Sequence, residues 1–140
     1  MPKVDRYIKT AIDRIKEDEF HPRLVAHLGA VIVKGGKVVS VGRNRPKMNA
    51  YIKSMAPHEN CASVHAEIDA IFKVRRKIDL RGCDMYVARI TKNGIHGLAA
   101  PCTMCMRTIQ RYGIKRVFYT VEDGVQMLRI TSIEVRRSKR

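Results

Sequence analysis

Residues 101–120 read PCTMCMRTIQRYGIKRVFYT. Pro101 interrupts what precedes it, and Cys102 to Tyr112 has the mixed polar and apolar spacing of a helix. Gly113 stands where a helix C-terminal cap is expected. KRVFYTV then carries the β-branched and aromatic residues of a strand. A helix delivered into a strand through a glycine is one unit of a layered α/β domain. The rest of the chain repeats that alternation.

Upstream, DMYVARI reads as a strand that ends at Asn93-Gly94. Before it, Val64, Ile68, Ile71, Phe72 and Arg75 follow a helical period. LGAVIVKGGKVVSVGRN reads as a hairpin turning at Gly35-Gly36. Val4, Tyr7, Ile8, Ala11, Ile12 and Ile15 form the apolar stripe of a first helix, which ends near the EDE run and is broken at Pro22. Downstream, EDG is a short turn and VQMLRITSIEV another strand. The order is therefore α-β-β-α-β-α-β-β, which predicts an α/β domain with a mixed sheet. The spatial order of strands does not follow from this pattern. Asn44 to Asn60, with Pro46 and Pro57, reads as a long loop of the kind that often carries function.

A chain of 140 residues suits one domain, here 1–135 with 136–140 as a basic tail. Hydrophobic residues make up 45%, enough for a core, which excludes a disordered chain. No apolar stretch approaches the ~18 residues of a membrane helix, so no membrane role is expected. MPKVDRYIKT has no signal-peptide apolar block, which predicts an intracellular, cytoplasmic setting. Cys61, Cys83, Cys102 and Cys105 are then expected as reduced thiols, with metal binding favoured over disulfides.

The net charge is +15, and residues 1–20 contribute none of it. Lys34 to Lys53 holds six basic residues and no acid, and the final RRSKR holds four more. Such a surface attracts phosphate, whether of nucleotides, nucleic acid or an anionic membrane. It also fits a soluble protein with a high isoelectric point and no polyanion partner.

Cys102-Thr103-Met104-Cys105 places two sulfurs on one face of a first helical turn, where both can reach one ion. The helix N-terminus favours thiolate. By itself the motif could be a redox pair, half of a zinc ribbon or two core thiols. No second C-x-x-C exists, which removes the four-cysteine ribbon. A thioredoxin-like redox site needs a different strand arrangement. His65 also sits where a loop enters a helix, and it is the best third ligand, with His58 in reserve. Glu67 follows it by two residues. One histidine and two cysteines leave a tetrahedral position open for water, which zinc makes acidic. A carboxylate beside that water can move protons, which makes the set hydrolytic in character.

His65-Ala66-Glu67 followed by Pro101-Cys102-Thr103-Met104-Cys105 matches the H-x-E and P-C-x-x-C pattern of zinc deaminases. The chain resembles the cytidine/deoxycytidylate deaminase superfamily over most of its length. VHAEIDAI and RTIQRYGIKRVFYT look closest to enzymes acting on deoxycytidylate and related cytosine nucleotides. The resemblance implies a three-layer fold with a five-stranded mixed sheet flanked by helices. It implies Zn²⁺ held by His65, Cys102 and Cys105. Glu67 would move protons among the attacking water, the ring nitrogen and the leaving amine. Asn44 would hold sugar or base, or else be a plain turn residue. The backbone at Ala66 and the carbonyl of Ala100 would face the pyrimidine edge. Homo-oligomers are common in the superfamily.

Three features depart from the pattern. Ala100 stands where deoxycytidylate deaminases usually carry serine, and where tRNA adenosine deaminases usually carry glutamate. Asp69 stands where deoxycytidylate deaminases often carry asparagine. EDG alone separates the last two strands, where nucleic-acid-editing branches place a helix. That turn implies an antiparallel final pair, as in free-nucleoside deaminases.

The expected activity is conversion of cytosine to uracil in a nucleoside or nucleotide, with the Lys34–Lys53 loop holding any phosphate. One alternative is a deaminase of cytosine or adenine in single-stranded DNA or RNA, supported by the charge. Another is a non-catalytic zinc-stabilised nucleic-acid-binding domain, against which Glu67 argues. Ribose or deoxyribose, and the number of subunits, are not written in these residues. Cys61 reads as a fourth ligand or, better, as a loop thiol. Cys83, Phe20, Phe72 and Phe118 read as core, and Met48, Met55, Met104, Met106 and Met127 as packing. Tyr51 reads as a base-stacking or idle exposed residue.

Overall fold

The structure is a computed structural model that describes residues 2–16, 27–45, 64–90 and 97–130. Cys61, His58, Tyr51, Phe20, the loop beyond residue 45 and the basic tail lie outside the described residues.

Among the described residues, three helices and five strands follow in the order read from the sequence. They are α1 (Pro2–Lys16), β1 (His27–Lys34), β2 (Lys37–Arg43), α2 (Ala66–Val74), β3 (Asp84–Ile90), α3 (Thr103–Arg111), β4 (Arg116–Val121) and β5 (Gly124–Arg129). They form one sheet in the order β2-β1-β3-β4-β5. Among the described strands only β3 and β4 run parallel, and α3 connects them, as a parallel pair requires a crossover. β4 and β5 are antiparallel across the Glu122-Asp123 turn, as the short EDG connection implies. β5 covers Gly124–Arg129, and residues 131–135 of the expected strand lie outside the described residues.

The β1–β2 hairpin turns on Gly35 and Gly36, both at positive φ (57° and 80°). That pair of angles suits a primed two-residue turn, and glycine adopts it without strain.

Alternation along the strands sends side chains to opposite sheet faces. On one face, Val31, Val33, Tyr86, Ala88, Ile90 and Phe118 pack under Tyr7, Ile8, Ala11 and Ile15 of α1. On the other, Ala30, Ile32, Met85, Val87 and Val117 pack under Ala66, Ala70 and Ile71 of α2 and Ile109 of α3. The result is three layers, helix on sheet on helix. Cys83 and Phe118 are core residues as expected, and Phe72 is partly buried. Met127 is not a packing residue: it is 46% exposed, because nothing among the described residues covers edge strand β5. No helix of the described residues is long and apolar enough to cross a membrane.

α2 lies unusually close to β2. A Cβ on Gly42 would come within 2.5 Å of the Ala70 nitrogen and 2.7 Å of the Ala66 carbonyl oxygen. Ser40 adds a buried hydroxyl bond to the Ala70 carbonyl at 2.7 Å. A glycine, a serine and two alanines thus let the helix settle onto the strand.

Candidate active site

Both helices of that second layer point their N-termini at one place. His65 is the N-cap of α2 and Cys102 the N-cap of α3, each in extended conformation. Cys105 is one turn into α3 and buried. Val64, Ile68, Met104 and Cys105 form a small apolar cluster that locks the two helix starts together.

The sulfurs of Cys105 and Cys102 lie 3.2 and 3.5 Å from His65 Nδ1. All three donor atoms fall within 4.8 Å of one another. Tetrahedral zinc, with bonds of about 2.3 Å to sulfur and about 2.0 Å to nitrogen, sets such ligands roughly 3.5 Å apart. The donor set and its spacing therefore fit zinc.

Electrostatics agree. A hydrogen bond from Cys105 pulls the Cys102 thiol down to about 4; burial opposes this, and the bond to His65 adds to it. Cys105 is pushed well above the ordinary thiol range, first by that same bond to Cys102 and then by burial. His65 is raised, chiefly by its bond to Cys102.

Glu67 stands in the first turn of α2, 3% exposed, and couples electrostatically to His65, Cys102 and Cys105. Burial raises its carboxyl above the ordinary range. A carboxyl so placed can hold a proton that an exposed glutamate would have lost.

The remaining sequence-selected residues gather around this group. Ala66 is fully buried at the start of α2. Ala100 is exposed, in the segment that leads into Cys102. That segment is held by Thr120: its hydroxyl donates to the Gly97 carbonyl at 2.8 Å, and its own carbonyl accepts from the Ala99 amide at 2.9 Å. Asn44 is buried at the end of β2, where its Oδ1 accepts from the Leu28 amide at 2.9 Å. The next residue, Arg45, exchanges two backbone bonds with Val64 (2.9 and 2.7 Å). This antiparallel bridge brings Asn44 opposite His65 in register.

Of two further residues of the neighbourhood, the sequence reading passes over Thr120 and marks Asp69 only as a departure from the family pattern. Thr120 is fully buried, and its signal was one hydroxyl inside the apolar run RVFYTV. Asp69 is 4% exposed and gathers Arg45 Nη2 at 2.6 Å, Lys73 Nζ at 3.3 Å and the Arg43 amide at 3.1 Å. Its signal was a second acid on the inner face of α2. The basic stretch is correspondingly less available for phosphate than its composition suggests. Arg45 is paired with Asp69, and Lys34 donates to the Asp79 carbonyl.

The family profile described as "Cytidine and deoxycytidylate deaminase zinc-binding region" matches residues 1–121. The riboflavin biosynthesis protein RibD of Bacillus amyloliquefaciens is 30% identical over 138 residues, covering 93% of this chain and 32% of that protein. The chain thus spans about a third of the length of the curated relatives it matches first. In fold it is similar to the apo dCMP deaminase of cyanophage S-TIM5, with a TM-score of 0.59 at 23% identity, covering 96% of this chain and 90% of that one. It is also similar to the cytidine deaminase of Burkholderia pseudomallei, with a TM-score of 0.62 at 22% identity, covering 90% and 91%. The chain belongs to the cytidine and deoxycytidylate deaminase zinc-binding family, and its His/Cys/Cys group is positioned to bind a metal such as the zinc of that family.

Proposed function

We propose that this member of the deaminase family hydrolyses an exocyclic ring amine, converting cytosine to uracil in a nucleoside or nucleotide and releasing ammonia. The observation that carries the reading is Glu67, a buried carboxyl set against the three metal donors and facing a purely structural site's lack of need for it. His65, Cys102 and Cys105 hold the metal. Zinc, when bound, supplies a water acidic enough to act as nucleophile near neutral pH.

The chain's own residues do the rest. Glu67 takes a proton from the attacking water and passes protons to the ring nitrogen and the departing amine. Burial suits it to this, because a raised carboxyl pKa makes it a competent acid as well as a base. Asn44, across from His65, holds sugar or base. The backbone at Ala66 and the carbonyl of Ala100 meet the pyrimidine edge. The reading takes 1–135 as one domain and the enzyme as a homo-oligomer. Exposed Met127 and Leu128 on edge strand β5 offer apolar surface for such assembly.

Two other readings each have an observation in their favour. The identity to RibD favours an amine substrate in riboflavin biosynthesis. The charge of the site-bearing layer favours single-stranded nucleic acid: on α2 and α3 the exposed charged residues are Lys73, Arg107 and Arg111, while the acids Glu67 and Asp69 are buried. Ammonia release from cytidine, its 5′-phosphates and a cytosine-containing oligonucleotide separates the nucleotide reading from the nucleic-acid one. The proposal expects turnover of the monomeric substrates with shallow salt dependence. Turnover of the oligonucleotide alone, falling steeply between ~50 and ~200 mM salt, would move the assignment to polynucleotide.

A further inference from the structure

Asp69 lies two residues beyond Glu67 on α2, and its amide donates to the His65 carbonyl at 2.9 Å. Its carboxylate is turned the other way, toward the end of β2. Oδ2 accepts the Arg43 backbone amide at 3.1 Å. Oδ1 accepts Arg45 Nη2 at 2.6 Å. Lys73, one turn further along α2, reaches Oδ2 at 3.3 Å and also donates to the Val41 carbonyl at 2.8 Å. The three donors come from both sides of Asn44 and from the helix itself. A carboxylate removed from water needs such partners.

The consequence concerns Asn44. Its backbone amide bonds to the Leu28 carbonyl at 3.2 Å on the side of β1. Its two neighbours in sequence are fastened to Asp69 on the side of α2. The Arg45–Val64 bridge then fixes the register of this segment against the residue that precedes His65. We infer that Asp69 is a positioning residue for substrate recognition: it clamps the Arg43–Arg45 segment to the helix that bears His65 and Glu67, and so sets Asn44 beside the metal site. It acts through Asn44 and touches no reacting atom. This rests on the reading of Asn44 as a substrate-binding residue.

The clamp also makes use of the negative charge of this acid. Asparagine can accept the Arg43 amide, but it gives neither Arg45 nor Lys73 a countercharge. Asp69→Asn therefore keeps one contact of three at full strength, and Asp69→Ala keeps none. Arg45→Met breaks the clamp from its half-exposed side and leaves the buried helix face unchanged.

The test compares Asp69→Asn, Asp69→Ala and Arg45→Met with the zinc-loaded wild-type protein. Zinc content, amide hydrogen exchange over residues 41–45, and KM and kcat on the cytosine nucleoside or nucleotide that the wild type turns over are measured. All three variants should keep full zinc. Exchange over 41–45 should quicken by about tenfold or more in Asp69→Ala and by less in Asp69→Asn, in keeping with loss of charge-assisted bonds. KM should rise about tenfold while kcat changes by less than about threefold. In an Asn44→Ala background, Asp69→Ala should raise KM no further, because the two act as one unit. Unchanged exchange over 41–45 in both Asp69→Ala and Arg45→Met would overturn the clamp. Additive KM effects would overturn its action through Asn44. Loss of zinc from Arg45→Met would also overturn it, by making the contact part of the metal site. If the wild type turns over no cytosine substrate, the functional reading fails, while the exchange measurement still decides the clamp.

Discussion

Gly42→Ala is a change of one methyl group, placed where β2 and α2 meet. The added carbon would sit 2.5 Å from the Ala70 nitrogen, 2.7 Å from the Ala66 oxygen and 2.9 Å from Ala70 Cα. All three are backbone atoms of the helix, so no side chain can rotate away. Ordinary contact needs about 3.5 Å, so α2 must retreat by roughly 1 Å. Overpacking of this kind costs about 1–3 kcal/mol. The retreat also strains the Ser40–Ala70 bond (2.7 Å) and the Arg43–Asp69 bond (3.1 Å), which span the same gap. Each is worth on the order of 1 kcal/mol. Together the loss is about 3–5 kcal/mol, or on the order of 10 °C in Tm for a domain of this length. Because α2 carries His65 and α3 carries both cysteines, zinc affinity should fall as well. Denaturant unfolding of the zinc-loaded protein measures the first effect and competition with a chromogenic chelator the second. Gly124→Ala is the control, since its Cβ would meet nothing within 4 Å. Gly42→Ala within about 0.5 kcal/mol of wild type would refute the close seat of α2 on β2.

Cys105→Ala should abolish stoichiometric zinc binding and lower Tm, because metal-binding free energy is also folding free energy; elemental analysis and a thermal melt check this. Zinc uptake should tighten as pH rises. Cys102 is already a thiolate near neutrality, whereas Cys105 and His65 hold protons more firmly than usual and must give them up to the metal. Titration calorimetry in buffers of different ionisation enthalpy should therefore register about one proton or more released per zinc near pH 8, and a pH-independent affinity would contradict the arrangement.

Much of the fold was legible because each element carried a local signal. The Gly35-Gly36 turn, the alternation in β1 and β3, and the stripe on α1 are short-range patterns, and the structure places elements where they predicted. The antiparallel β4–β5 pair followed from the length of its turn. The strand order β2-β1-β3-β4-β5 is a long-range property, and no residue announces it. β5 is assigned only to Arg129, although the Ile130 amide still bonds to the Lys115 carbonyl at 2.8 Å, and residues 131–135 of the expected strand lie outside the described residues. The metal donors were legible as H-x-E and C-x-x-C because helix starts impose short, fixed spacings. Asp69 and Thr120 were not, because their partners are remote in sequence: 24 positions to Arg45 and 23 to Gly97. The basic stretch misled in the opposite sense. Composition counts Arg45 as free charge, and only tertiary structure shows it spent on Asp69.

The central claim is that a buried carboxyl beside a His/Cys/Cys zinc group performs hydrolytic deamination. The most direct test is ammonia release by zinc-loaded wild type and by Glu67→Gln, assayed side by side at equal measured zinc content. Wild type should turn over a cytosine nucleoside or nucleotide, and Glu67→Gln should bind the same zinc yet lose about 10²–10⁴-fold or more in rate. Equal rates in the two proteins, or a folded wild type that takes up no zinc, would contradict the account.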